Sequence, residues 1–230
     1  MSLILQIETA TTVCSVALAQ NGELLAVKEV KERNVHAEMI TLFIQDVCAM
    51  AGKQLKDIDA VAVSKGPGSY TGLRIGVSTA KGICFGLDKP LIAVDTLAAM
   101  ATGAATFAGE YDSNAILCPM IDARRMEVYT AMFTTTGELV RPTAAEIIDD
   151  NSFAELPSEQ QLVIFGDGAE KCIQALAHRG KLAFLSQFEN SASQLTQLAA
   201  QKFANKEFED VAYFEPYYLK EFIAGVKGAK

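Results

Sequence analysis

The run Ser64-Lys65-Gly66-Pro67-Gly68-Ser69-Tyr70-Thr71-Gly72-Leu73-Arg74-Ile75-Gly76 constrains this chain more than any other stretch. It follows a strand-like segment, Ile58 to Val63, and opens a helix-like one that reaches Phe85. Gly66-Pro67-Gly68 is a sharp turn, because glycine accepts backbone angles that other residues resist and proline stiffens the bend. Ser69 or Thr71 then caps the helix by accepting a backbone N–H bond. A glycine-rich strand-to-helix turn is also a candidate phosphate cradle, since free amides and the helix dipole both favour an anion. Within the helix, Gly72, Gly76 and Ala80 share one face, and Gly82 and Gly86 repeat the spacing. Glycine inside a helix costs about 1 kcal/mol relative to alanine, so several of them point to close backbone approach by another element. That element is either the protein's own sheet or another subunit.

Half of the 230 residues are hydrophobic, enough for a sizeable core in one large domain or two small lobes. The net charge of −8 makes a poor stand-alone nucleic-acid binder, so any RNA contact needs a basic surface from another chain. Cys14, Cys48, Cys84, Cys118 and Cys172 form no C-x-x-C pair and read as small apolar fillers in a reducing compartment. Met1 to Ala19 is apolar but lacks a basic leader and is interrupted by Gln6 and Glu8, so it reads as strands. No apolar run approaches membrane-spanning length, and a cytoplasmic protein without membrane contact is expected.

Alternation and turn signals give three antiparallel strands first: Ser2–Thr9, Val13–Gln20 and Glu23–Val30, with Asn21-Gly22 as the hairpin turn. Asn34 is placed to cap a helix over Val35–Ala51 that Gly52 ends. Its apolar stripe, Ile40, Phe43, Ile44, Val47 and Ala51, is widened by Val35, Met39 and Leu42, which fits either a well-buried helix or a subunit interface. A strand at Pro90–Val94 follows the glycine-rich helix, and Asp95 or Thr96 caps a helix running to Phe107. After a polar linker at 110–114 the order begins again. Strands are expected at Ala115–Ile121, Glu127–Thr134, 137–147 and Leu162–Phe165. A short helix starts at Ser152, another spans Ala169–Ala177 after Gly166-Asp167-Gly168, and Leu182–Leu185 is a weak strand. Ser191 or Ser193 opens a helix at Gln194–Ala204, and the aromatic tail Val211–Phe222 docks on a lobe, with loose residues after it. The repeated order describes an α/β chain of two ribonuclease-H-like lobes in the actin-like, sugar-kinase (ASKHA) fold. The lobes are cut at 1–109 and 110–230.

Specific motifs narrow this. Ile7-Glu8-Thr9-Ala10, the glycine run 66–76, Ala80-Lys81-Gly82, Asp122-Ala123-Arg124-Arg125-Met126-Glu127-Val128-Tyr129, Gly166-Asp167-Gly168 and Pro216-Tyr217-Tyr218-Leu219 together resemble the bacterial TsaB (YeaZ) family over nearly the whole chain. The resemblance implies a non-catalytic partner of the paralogue TsaD. TsaD transfers a threonylcarbamoyl group to N6 of the adenosine 3′ of the anticodon. A small ATPase, TsaE, joins the complex, and tRNA is met only through it. It implies pairing through the first two helices, which puts Met39, Ile40, Phe43, Val47, Tyr70, Gly72, Leu73, Gly76 and Ala80 at the interface. Gly76→Leu is then the natural probe of pairing. Ser69, Thr71 and Arg74 are expected near the boundary, where a nucleotide held between subunits is within reach. An isolated chain is expected to cover its apolar helices as a homodimer.

The competing class is an ATP-dependent small-molecule kinase of the same fold. That chemistry needs carboxylates in both lobes to hold magnesium and activate a hydroxyl. Glu8 and Asp122 stand in the matching places, but Glu8 and Ala10 depart from the family's usual Asp-Thr-Ser pattern. Asp122 has Arg124, Arg125 and Glu127 close by, as pairing partners or solvent-facing groups. A metal site is not expected: His36 would be one ligand, but Ile40 occupies the second position of an H-x-x-x-H register. His36 is expected on polar surface or at an interface, and His178 at a helix end. With two histidines and no H-E-x-x-H or G-x-S-x-G, proteolysis has no support. No catalytic residue and no cofactor are expected.

Overall fold

The computed structural model describes residues 2–220. Strands β1 (Leu3–Glu8), β2 (Val13–Gln20) and β3 (Glu23–Lys31) are followed by helix α1 (His36–Met50), β4 (Ala60–Ser64), α2 (Tyr70–Leu87), β5 (Leu91–Val94) and α3 (Thr96–Ala104). The second series is β6 (Ile116–Asp122), β7 (Glu127–Thr134), β8 (Leu139–Ile147), β9 (Leu162–Phe165), the short α4 (Ile173–Leu176), β10 (Leu182–Phe184) and α5 (Thr196–Ala204). The two sheets have the same strand order, β3-β2-β1-β4-β5 and β8-β7-β6-β9-β10. In each, the first three strands in sequence pair antiparallel and the last two join in parallel. The repetition of order is therefore a repetition of topology.

Local chemistry explains most boundaries. Asn21 and Gly22 both take positive φ, as a two-residue hairpin turn with this twist requires. Gly52, at φ +63, ends α1. Ser69 caps α2 by accepting the Gly72 N–H, and Asp95 caps α3 by accepting the Ala98 N–H. Asn34 does not cap α1. It sits at φ +64 and makes the turn, while Val35 holds the N-cap position without a side-chain bond. The expected helix at Ser152 is a series of turns, and the expected helix from Ala169 is a 3-10 turn, Glu170–Cys172, leading into α4. Short polar stretches of this kind close hydrogen bonds locally instead of propagating a helix.

The core lies in four layers. One face of the first sheet, with Leu5, Ile7, Val16, Leu18, Val61 and Val63, packs on Ile40, Phe43, Ile44 and Val47 of α1 and on Val77, Ala80 and Cys84 of α2. Its other face, with Ile4, Ala60, Ala62 and Ile92, is covered by Leu195 and Ala199 at α5. The second sheet packs Leu117, Ile121, Phe133 and Phe165 against Leu97, Met100 and Ala101 of α3, and its far face holds Phe153 and Leu176. The lobes thus exchange helices. α3 follows the first sheet in sequence and packs mostly on the second, with Ala99 turned to the first, while α5 follows the second sheet and covers the first. A cut between 109 and 110 separates α5 from the sheet it covers and α3 from the sheet most of its core residues meet. Bonds from the exchanged segment fasten it: Thr196 Oγ1 donates to Gln6 Oε1 at 2.9 Å and the Ala192 N–H donates to Ser15 Oγ at 2.9 Å.

All five cysteines are free and buried, as apolar fillers are. Burial pushes the Cys118 thiol up to about 12 and those of Cys14 and Cys84 to about 11, far from the nucleophilic range. Among the described residues no helix is long and apolar enough to cross a membrane. The tail packs Val211 and Phe214 on the first lobe and ends with Lys220 paired to Glu127 of the second at 2.6 Å, while Glu221, Phe222 and the residues expected to be loose lie outside the described residues.

The glycines of α2 divide by their surroundings. A Cβ at Gly72 would overlap the backbone oxygen of Thr9, whereas a Cβ at Gly82 meets nothing within 4 Å. Gly72→Ala is expected to lower stability by about 2 kcal/mol or more, because a backbone cannot step aside. Gly82→Ala is expected to raise it by up to about 1 kcal/mol through helix propensity. Urea denaturation of the two variants checks both signs.

Candidate functional site

Two surfaces need a role: the groove between the lobes and the outer face of α1 and α2. The groove has a volume of about 740 Å³. The first lobe lines it with the turn Ala10–Thr12, the start of α1 at His36 and Ala37, and the start of α2 from Gly68 to Gly72. The second lobe contributes Ile121 to Arg124, Tyr129 and Asp167, and the tail adds Tyr218, Leu219 and Lys220. Ser69 and Thr71 line the groove; Arg74 is not among its walls.

The glycine turn is shaped by contact with its own chain. The Ser69 N–H donates to the Ala10 carbonyl at 2.7 Å, and a Cβ at Gly68 would meet Ala10 at 2.7 Å. Gly72 and Gly76 lie against Thr9, its carbonyl oxygen and its hydroxyl. Of the two readings of the small-residue face, packing on the protein's own sheet is the one the coordinates show. Ile40, Phe43, Val47, Leu73 and Ala80 are buried in the core beneath the two helices, and Gly72 and Gly76 are buried with them. These seven residues offer a partner no surface, and Gly76→Leu would break the fold before it probed pairing. Met39 and Tyr70 keep partial exposure.

The outer face of these helices has a different composition. Leu42 and Met50 of α1 are exposed, and Phe85 of α2 is 86% exposed. Arg74, Ser78, Gly82 and Gly86 share that exposed side of α2, and neither Gly82 nor Gly86 has a neighbour within 4 Å of a Cβ. The costly glycines with no internal explanation therefore sit on the outside, beside a bare phenyl ring.

The carboxylates are engaged internally. Glu8 is 1% exposed, and its Oε1 accepts the Ala10 N–H at 2.6 Å. Burial raises its carboxyl to about 7, against the opposing pull of the Ala10 and Thr9 amides and the Ser64 hydroxyl nearby, with Asp167 adding a small push upward. The Ser64 hydroxyl itself forms no hydrogen bond of ordinary geometry among the described residues. Asp122 holds the β6–β7 turn together. It pairs with Lys171, accepts the Arg124 N–H at 3.0 Å, and donates its own N–H to Asp167 Oδ1 at 3.0 Å. Arg124 and Arg125 both adopt positive φ there, a conformation that costs each about 1 kcal/mol or more. The partner of Asp122 is Lys171, 49 positions away, which sequence proximity could not supply.

His36 is not on polar surface. It is 7% exposed, with Nε2 shared between the carbonyls of Thr11 and Val13 at 3.1 and 3.2 Å. It ties α1 to the β1–β2 turn. His178, at the end of α4, bonds the Ala175 carbonyl through Nδ1 at 3.0 Å. Among the described residues no three His, Cys, Asp or Glu groups are placed to hold a metal ion.

Comparison with known proteins follows the same lines. Residues 29–225 match the family model described as TsaD, tRNA N6-adenosine threonylcarbamoyltransferase. The tRNA threonylcarbamoyladenosine biosynthesis protein TsaB of Escherichia coli K12 is 34% identical, with 97% of each chain covered. A crystal structure of a Pseudomonas aeruginosa protein described as similar to peptidase YEAZ superposes with a TM-score of 0.83 at 27% identity, covering 96% of this chain and all of that one. A polyphosphate/ATP-glucomannokinase from Arthrobacter superposes with a TM-score of 0.50 at 12% identity, over 90% of this chain and all of that one. The last likeness carries the fold alone: two ribonuclease-H-like lobes of the actin-like, sugar-kinase class.

The buried carboxyl of Glu8 is testable by its titration. Its carboxyl holds a proton up to about 7 when folded but releases it near 4.5 when exposed. The stability tied to that proton is complete below about 4.5 and is lost as pH rises through about 7, a loss of about 3 kcal/mol. Glu8→Gln keeps the shape and removes the titration. Urea midpoints at about pH 5 and pH 8 are expected to fall in the wild type and to stay closer together in the variant. Equal pH slopes in the two proteins would contradict the assignment.

Proposed function

The chain belongs to the TsaB (YeaZ) family, and from that premise we propose that it serves tRNA N6-threonylcarbamoyladenosine formation as a non-catalytic scaffold subunit. It pairs with a TsaD-like catalytic paralogue through the outer face of α1 and α2, and a TsaE-like ATPase joins the assembly. The observation that carries this reading is Phe85, 86% exposed beside Gly82 and Gly86, with Leu42 and Met50 bare on the neighbouring helix. Apolar groups concentrated on two adjacent helices mark a protein contact. The buried residues of the same helices stiffen the surface from below. Ser69, Thr71 and Arg74 stand at its groove-side edge, where a nucleotide held between subunits is within reach. Without the paralogue, two copies of the chain cover the same face as a homodimer. The net charge of −8 fits a subunit that meets tRNA only inside the complex. The absence of a spanning helix among the described residues is compatible with a cytoplasmic site of action.

The kinase reading has less support. Glu8 is spent on the Ala10 amide and is protonated up to about pH 7, and Asp122 is spent on Lys171 and its own turn. Asp122 stands half exposed on the groove wall, but Glu8, 1% exposed, is not presented to a bound nucleotide, and phosphoryl transfer in this fold requires a carboxylate from each lobe.

Paired substitutions separate the readings. Leu42→Arg with Phe85→Asp is expected to weaken association with the TsaD-like paralogue at least tenfold, which is about 1.4 kcal/mol. Unfolding of the isolated variant is expected to shift by no more than about 0.5 kcal/mol, as for other exposed positions. Association at wild-type strength would remove α1 and α2 from the interface, and turnover of Mg-ATP by the isolated chain would restore the kinase.

A further inference from the structure

Among the described residues, the segment after α5 contains no helix or ladder strand, yet it crosses the first lobe on a few defined bonds. The Glu209 N–H donates to the Leu91 carbonyl at 2.9 Å. Lys81 Nζ, reaching out from α2, donates to the carbonyls of Ala212 and Phe214 at 3.1 and 2.9 Å. The Tyr217 N–H then donates to the Lys65 carbonyl at 2.7 Å. The path therefore runs antiparallel to α2, from its C-terminal end to the glycine turn at its start. There the Tyr217 carbonyl occupies the space a side chain at Gly66 would need, 2.6 Å from a Cβ. The Tyr218 ring rests on Tyr70 at 4.8 Å between centroids. Tyr70 in turn accepts a bond from Arg74 Nη1 at 2.7 Å, with the guanidinium 5.4 Å from the ring centre.

We propose that residues 209–219 are a latch that opens without unfolding the lobe, that Lys81 sets how readily it opens, and that the closed latch positions Tyr70 and Arg74 on the partner-facing end of α2. Little apolar surface resists opening: Val211 and Phe214 are partly buried against the core, while Tyr213 is 84% exposed. Segments with few buried contacts and isolated backbone bonds open at lower free energy than the sheets beneath them. Lys81 is the one side chain seen to grip this segment at two carbonyls, and among the described residues its bonds go to no carboxylate. An ammonium with three donors suits that task. The positioning role rests on the proposed pairing through α2; the opening does not.

Hydrogen exchange on the full chain without partner tests the opening. In Lys81→Met, which keeps the stem and loses the donors, the Glu209 and Tyr217 amides are expected to exchange at least tenfold faster, with β1 and β4 amides unchanged. No acceleration, or equal acceleration in β1 and β4, would overturn the latch. Tyr218→Ala is expected to leave Glu209 protected and to weaken pairing with the TsaD-like paralogue severalfold. Undiminished pairing in that variant would overturn the positioning role, and a wild-type chain that does not pair would instead sink the interface reading itself.

Discussion

The contact between the Thr9–Ala10 turn and the first two turns of α2 is what the rest of the molecule depends on. Gly68, Gly72 and Gly76 have no side chains because β1 ends where those side chains would be. The Ser69 N–H bonds the Ala10 carbonyl, and Glu8, one residue before the turn, holds the Ala10 amide. A helix brought this close to a strand end is fixed in height and rotation. That fixes which residues of α2 face inward and leaves Phe85 outside. The exposed face is thus a consequence of the buried one.

The same arrangement takes up part of what a phosphate cradle would use. A glycine-rich turn binds an anion when its amides are free and its approach is open. Here the Ala10 carbonyl takes the Ser69 amide, the Ser69 side chain takes the Gly72 amide, and the Tyr217 carbonyl sits over Gly66. Part of the turn's hydrogen-bonding capacity is thus used by the chain itself. The groove that remains has Asp122, paired with Lys171, on its wall, while Glu8 lies buried with its carboxyl raised to about 7.

Much of the fold was legible because short-range chemistry decides it. Asn21-Gly22 makes a hairpin wherever it stands between alternating strands, and Ser69 and Asp95 cap by local geometry. The repeated strand order could be read from pattern alone. The exchange of α3 and α5 could not, since periodicity tells which face of a helix is apolar but not which sheet it meets. The small-residue stripe carried the same ambiguity. Gly72 and Gly76 make room for the backbone and side chain of Thr9, whereas Gly82 and Gly86 serve nothing inside the chain, and no property of glycine in sequence distinguishes the two. His36 was misplaced because its partners are main-chain carbonyls of a distant turn. Lys81 and Lys171 act across 131 and 49 positions, so no local signal announced them.

If α1 and α2 exist to be covered by a paralogous subunit, the covering can be observed directly. Hydrogen exchange of the full chain, alone and mixed with a TsaD-like protein, is the most direct measurement. Protection gained over residues 39–50 and 70–87, with the second sheet unaffected, is the result this account predicts. Protection confined to the groove walls around Asp122, Arg124 and Asp167, with α1 and α2 unchanged, would contradict it.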